Sequence, residues 1–151
     1  MIPCQLEAAR RLLFFSQPEA AAMISGTSEQ AWRRWEAGNR AVPSDVEKKI
    51  GGLLEWRQAA IDAVVKQIST AHDGASIALI WYESLDDWAT LDGRDPALWR
   101  PQQSVCAALV AEFFGRLRLV PFDGPGYAEW RGKRRDSETL RGNWAATVNR
   151  K

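Results

Sequence analysis

Apolar positions recur at helical spacing through the first half of the chain, change to strand spacing in the middle, and then alternate between the two. Leu6, Ala9 and Leu13 set a helix from Gln5 to about Phe14. Ser16-Gln17-Pro18-Glu19 restarts one, because proline is tolerated in a first turn and an acidic residue there complements the helix dipole. This second helix, about Pro18 to Ile24, is alanine-rich and so open to close approach by a neighbour. Ser25-Gly26-Thr27-Ser28 supplies a turn and then a hydroxyl to cap a third helix, which runs to about Ala37 and stops at Gly38-Asn39-Arg40.

Ser44-Asp45-Val46-Glu47 has the spacing of a capping box, and a stripe of Val46, Ile50, Leu53, Leu54, Ile61, Val64, Val65 and Ile68 carries a helix onward. Gly51-Gly52 interrupts the stripe and predicts a bend or break, with Ile61 to Ile68 as a connecting helix beyond it. After a turn at His72-Asp73-Gly74, the apolar run Ser76 to Tyr82 reads as a mostly buried strand. Asp86 to Leu91 is a short helix, and Pro101 to Phe114 shows two adjacent apolar rows, Val105/Leu109/Phe113 and Cys106/Val110/Phe114. Arg116 to Leu119 alternates as a half-exposed strand does, and Pro121 argues for an edge. From Gly124 onward sparse apolar residues predict a loosely ordered basic tail. The fold class is α+β: an all-α unit over residues 1–71 including its connecting helix, a small α+β unit over 72–123, and the tail over 124–151.

Charge changes this picture only when it is divided along the chain. The net charge is +1, but residues 1–50 carry 7 basic and 6 acidic side chains, residues 51–123 carry 6 and 10, and residues 124–151 carry 7 and 3. That balance argues against broad, sequence-blind binding of polyanions and for recognition by a few placed residues. Two cysteines, Cys4 and Cys106, and the single His72 are too few for a disulfide framework or a zinc site, so free thiols and no metal or cofactor are expected. His72 has no recognisable nucleophile partner, no glycine-rich phosphate loop is present, and Asp86, Asp87, Asp92 and Asp95 lack a calcium-loop pattern, so an enzyme is not expected. With no apolar run near the roughly 20 residues of a membrane span and no signal-peptide order at the start, a cytoplasmic location is expected.

The informative stretch is Gln17 to Pro43. Ala21 and Ile24 can pack inward from one short helix and Trp32 and Trp35 from the next, which leaves Glu29, Gln30, Arg33 and Arg34 for an outer face or its flanks. Glutamine can bond adenine bidentately and arginine guanine, so this face could read bases in a major groove. Glu36 is better placed to pair with Arg10 than to face phosphates.

Glu19-Ala20-Ala21, Thr27-Ser28, Trp35-Glu36-Ala37-Gly38 and Pro43 together resemble the Cro/CI-type (xenobiotic-response-element) helix-turn-helix family. Within it, Leu12-Leu13, Ser28-Glu29-Gln30-Ala31-Trp32, and Ala41 to Glu47 are similar to the anti-CRISPR-associated autorepressors and the YdiL-like bacterial proteins. Trp99-Arg100 with Gln103-Ser104-Val105 extends the likeness, so that it covers roughly residues 5–115 and omits the tail. What the resemblance implies is a transcriptional repressor: a homodimer on an inverted repeat of double-stranded DNA, often controlling its own operon. The implied DNA-binding set is Gln17, Thr27, Ser28, Gln30, Arg33, Arg34, Asn39 and Arg40, with base reading at Gln30, Arg33 and Arg34 and phosphate contact at Gln17, Ser28, Asn39 and Arg40. An antitoxin whose second unit or tail binds a toxin protein, and an RNA-binding regulator, remain open as alternatives. The second unit carries more apolar surface than two strands and a helix can hide, and its expected task is dimerisation.

Overall fold

The computed structural model describes residues 1–72 and 74–148. Four helices build the first half: α1 (Pro3–Leu12), α2 (Gln17–Ala20), α3 (Glu29–Glu36) and α4 (Ser44–Thr70). Helix α2 starts on a reciprocal cap, in which Ser16 Oγ accepts from the Glu19 amide at 3.3 Å while Glu19 Oε2 accepts from the Ser16 amide at 2.8 Å. It runs into a π-helical turn at Ala21–Ser25, which Gly26 ends in the left-handed region at φ 64°. Ser28 caps α3 as expected, its hydroxyl accepting from the Ala31 amide at 3.2 Å. Leu6, Leu13, Phe15, Ala20, Ile24, Trp32, Trp35, Val46 and Ile50 close a first core among these helices.

Two expectations for α4 fail. The helix is unbroken across Gly51-Gly52, because its first half is anchored in the first core by Val46 and Ile50 and its second half in another core by Ile68. Anchorage at both ends outweighs a propensity cost of about 1 kcal/mol per glycine. Nor does a capping box form at Ser44: Pro43 occupies the cap position without a side-chain bond, and Glu47 instead receives the Met1 amino group at 2.6 Å.

In the second half, β1 (Ile77–Trp81) and β2 (Leu117–Pro121) pair in parallel, Ile77 opposite Leu117 through Trp81 opposite Pro121. The crossover holds α5 (Leu85–Ala89), a 3-10 turn at Pro96–Leu98 and α6 (Trp99–Glu112). On one side of this sheet Leu117 packs with Ile68 of α4 and Val105 and Leu109 of α6. The carbonyls of Ile80 and Tyr82 point away from β2, since Ile77 N–H and Trp81 C=O point toward it. Side chains from α6 satisfy them: Gln102 Nε2 donates to Ile80 O at 2.7 Å, and Gln103 Nε2 and Trp99 Nε1 donate to Tyr82 O at 2.8 and 2.9 Å. These contacts take up two of the outward carbonyls of that edge.

The expected loose tail is instead two helices, α7 (Gly124–Arg131) and α8 (Glu138–Thr147), up to the last described residue, Val148. Tyr127, Trp144 and Ala145 are buried with Val120 on the other side of the sheet. Arg141, 1% exposed, donates to both oxygens of Asp136 at 3.1 and 2.7 Å and to Thr90 Oγ1 at 3.1 Å, with its guanidinium over the Phe122 ring. Few apolar residues suffice here because Tyr127, Trp130 and Trp144 are large and the paired Arg141 adds buried volume of its own.

This anchor should titrate. Donation from Arg141, and from the Tyr127 hydroxyl at 2.5 Å, outweighs burial and holds the Asp136 carboxyl down at about 2. Depressed below the unfolded value of about 3.9, it contributes stability that is fully present above pH 4 and is lost as pH falls toward the folded value. The stability difference between the wild type and Asp136→Asn, measured by denaturant unfolding, should be constant above about pH 5 and shrink below about pH 4. A difference unchanged down to the folded pKa would remove Asp136 from the anchor.

Candidate nucleic-acid interface

Helix α3 is oriented by its tryptophans. Trp32 and Trp35 are 0% and 5% exposed and meet edge to face with ring centroids 5.7 Å apart, so the opposite side of the helix must carry what is left. Gln30, Arg33 and Arg34 stand there, all exposed, at the three- and four-residue spacings that bring side chains onto one helix face. Arg33 pairs with Glu29 one turn back on the same surface. An exposed pair of this kind is worth only about 0.3–0.5 kcal/mol, so Arg33 can leave it for a stronger acceptor.

Glu36 fixes the end of α3 to α1 and α2. Its Oε1 accepts from Arg10 Nε at 2.6 Å and Trp32 Nε1 at 2.7 Å, and its Oε2 from Arg10 Nη2 at 3.0 Å and Gln17 Nε2 at 2.8 Å. Burial pushes this carboxyl up, but the Arg10, Gln17 and Trp32 donors outweigh it and hold it below the usual carboxylate range. The expected Arg10–Glu36 pair is therefore present, and the carboxylate is spent on the protein rather than offered to a phosphate. Gln17 joins the same cluster, which sequence spacing alone did not indicate. Its carboxamide gives one N–H to Glu36, leaving the other as a donor at that position.

The remaining candidates bracket α3. Thr27 Oγ1 shares a hydrogen bond with Ser25 Oγ at 2.7 Å, and Ser28 Oγ, although it accepts from Ala31, keeps its own O–H to donate. Gly38, at φ 75°, turns the chain out of the helix, and the amides of Asn39 and Arg40 then close onto Arg34 O at 2.9 and 3.2 Å, leaving both side chains exposed. The structure thus brings the eight candidates onto α3, its two flanking turns and the start of α2.

A second surface is apolar. Around Ile68, Val105, Leu109 and Leu117, ten apolar side chains are only partly covered, among them Ile61, Val64 and Val65 of α4, Val110 of α6 and Phe113 just beyond it. Phe114, next in the chain, is 89% exposed. Sequence reasoning located the apolar excess after residue 72. The stripe on Ile61 to Ile68 was the available signal that α4 adds to it.

The sequence model of the Aca2/YdiL-like family matches residues 1–118. The Aca2 repressor of Pectobacterium phage ZF40 is 36% identical over 110 residues, covering 72% of this chain and 91% of that protein. The family match spans α1 to α6 with both surfaces just described, and stops within β2, before α7 and α8.

Proposed function

The chain belongs to the Aca2/YdiL-like family, and from that premise we propose that it is a sequence-specific DNA-binding transcriptional repressor that binds an inverted repeat as a homodimer and regulates its own operon. The observation that carries the reading is α3: a short helix turned by two buried tryptophans so that Gln30, Arg33 and Arg34 face outward, with capped turns at both ends. Helix α2 with the π-helical turn supports it, in the arrangement of a helix-turn-helix. Gln30, Arg33 and Arg34 read base edges. Gln17, Ser28, Asn39 and Arg40 hold the phosphates on either side, with Thr27 beside them in the turn before α3. The protein acts in the cytoplasm by occupying DNA and catalyses no reaction. No helix among the described residues is long and apolar enough to cross a membrane.

The half-exposed apolar surface on α4, β1 and α6 supports the dimer. One α3 reads only a few base pairs, and a symmetric second copy both covers that surface and doubles the contacts. A panel of upstream duplexes at physiological salt should contain one clear winner, and equal binding to all of them would sink sequence reading. On that duplex, Arg33→Ala and Gln30→Ala should each cost about 1–3 kcal/mol and relax preference at one base position, whereas Arg40→Ala weakens all duplexes evenly. Normal operator affinity in folded Arg33→Ala would show the groove orientation to be wrong.

A further inference from the structure

The turn between α7 and α8 carries Arg131, Lys133, Arg134 and Arg135, beyond the residues that the family model matches. It is held, not frayed. Gly132 leaves α7 at φ 59°, Ser137 Oγ caps α8 by accepting from the Leu140 amide at 3.1 Å, and Asp136 between them is fixed by Arg141 and Tyr127. Those contacts also take up two of the carboxylates nearby: Asp136 is bound by Arg141, and Glu138 by Arg94 at 2.8 Å. Arg134 folds back onto the Arg131 carbonyl at 2.9 Å and stacks on Trp130. Lys133 and Arg135 are exposed and make no hydrogen bond or ion pair with any described residue. Arg131 Nε is buried without a partner among the described residues, and Arg131 and Arg135 line a pocket of about 400 Å³ with Thr90, Leu91, Asp92 and Asp136.

The position of this pocket matters. Three residues after Asp92, Asp95 lines a second cleft together with Leu98 and with Met23 and Ile24 of the π-helical turn before α3. Three extended residues reach at most about 11 Å, so Asp92, on the wall of the basic pocket, lies within that reach of a residue that shares a cleft with the π-helical turn before α3.

We propose that this turn is a second phosphodiester-binding surface, which grips the nucleic-acid backbone beside the segment read by α3. Cations without carboxylate partners, on a turn already ordered by its own caps, bind phosphate without the entropic cost of organising a flexible arm. The inference rests on the repressor reading for its partner, and the experiment separates the two.

The full chain and the double variant Lys133→Gln, Arg135→Gln should be titrated across about 50 to 200 mM salt on two operator duplexes, one trimmed to the inverted repeat and one extended by about 10 base pairs on each side. On the extended duplex the variant's slope of log K against log salt should be shallower by about two per subunit, with preference over a scrambled sequence unchanged. On the trimmed duplex the slopes should agree. A matching loss confined to single-stranded RNA transcribed from the operator region would also support the surface, with RNA as the source of the phosphodiesters. Equal slopes on every nucleic acid overturn the proposal, as does a loss seen only on anionic lipid vesicles. If the wild type prefers no duplex and the slope still falls, the surface stands and the repressor reading fails. Equal melting temperatures exclude misfolding, which the exposure of both side chains leads one to expect.

Discussion

Phe114→Glu is expected to leave the fold intact, convert the protein to a monomer and lower operator affinity by about 10²–10⁴-fold, because each half-site then binds without its linked partner. The side chain is 89% exposed, so little packing within one subunit is lost by replacing it. Across a symmetric interface the same change appears twice, placing two unpaired carboxylates in an apolar contact, at a cost that a marginal association cannot absorb. Sedimentation of both proteins beside an operator titration checks this. A variant that stays dimeric with unchanged affinity would move the interface off the end of α6.

Glu36→Ala should be the most damaging single change in the first core, at about 3–5 kcal/mol. The side chains of Arg10 and Glu36 are only 10% and 6% exposed, and removing the carboxylate leaves the guanidinium with one remaining partner, Phe15 O at 2.9 Å. Trp32 and Gln17 lose their acceptors in the same step. An exposed ion pair would be worth a tenth of that, so the measurement discriminates well between a buried hub and a surface contact. Chemical denaturation of Glu36→Ala against Glu36→Gln, which keeps the shape and one acceptor oxygen, gives the result. A loss under about 1 kcal/mol in both would show that the cluster does not hold α3 in place.

Much of the first core was legible because its signals are local. Ser28 before Glu29, Gly38 after Ala37 and tryptophans three apart are each interpretable within one turn of helix, and the Arg10–Glu36 pair follows once those helices are set side by side. The continuity of α4 was not, since the glycines that argue for a break lie within one helix while the packing that overrides them comes from two separate cores. The tail was illegible for a related reason. Arg141 reads as one more surface cation until Asp136, Thr90 and the Phe122 ring surround it, and only Asp136 is near it in sequence. Of the candidate interface, the side chains that stand free on α3 were visible in the spacing, whereas the attachment of Gln17 to Glu36 required three helices to meet.

Helix α4 spans about 40 Å, and its two ends are embedded in different cores. A strut shared in this way has no seam at its midpoint. Cutting the chain after residue 71 keeps the strut whole but strips the cover from Ile61, Val64, Val65 and Ile68, and cutting within it strips both cores at once. Ser104 adds a second tie, its hydroxyl donating to Leu12 O at 2.5 Å while accepting from Arg57 Nε at 2.7 Å. Grafting the first half onto a different second half would therefore need α4 and its Ser104 contact carried along intact. Exchange of parts between related chains is easier at the far side of β2, where α7 and α8 meet one face of a small sheet and the loop around Thr90 and Arg94 but neither α4 core.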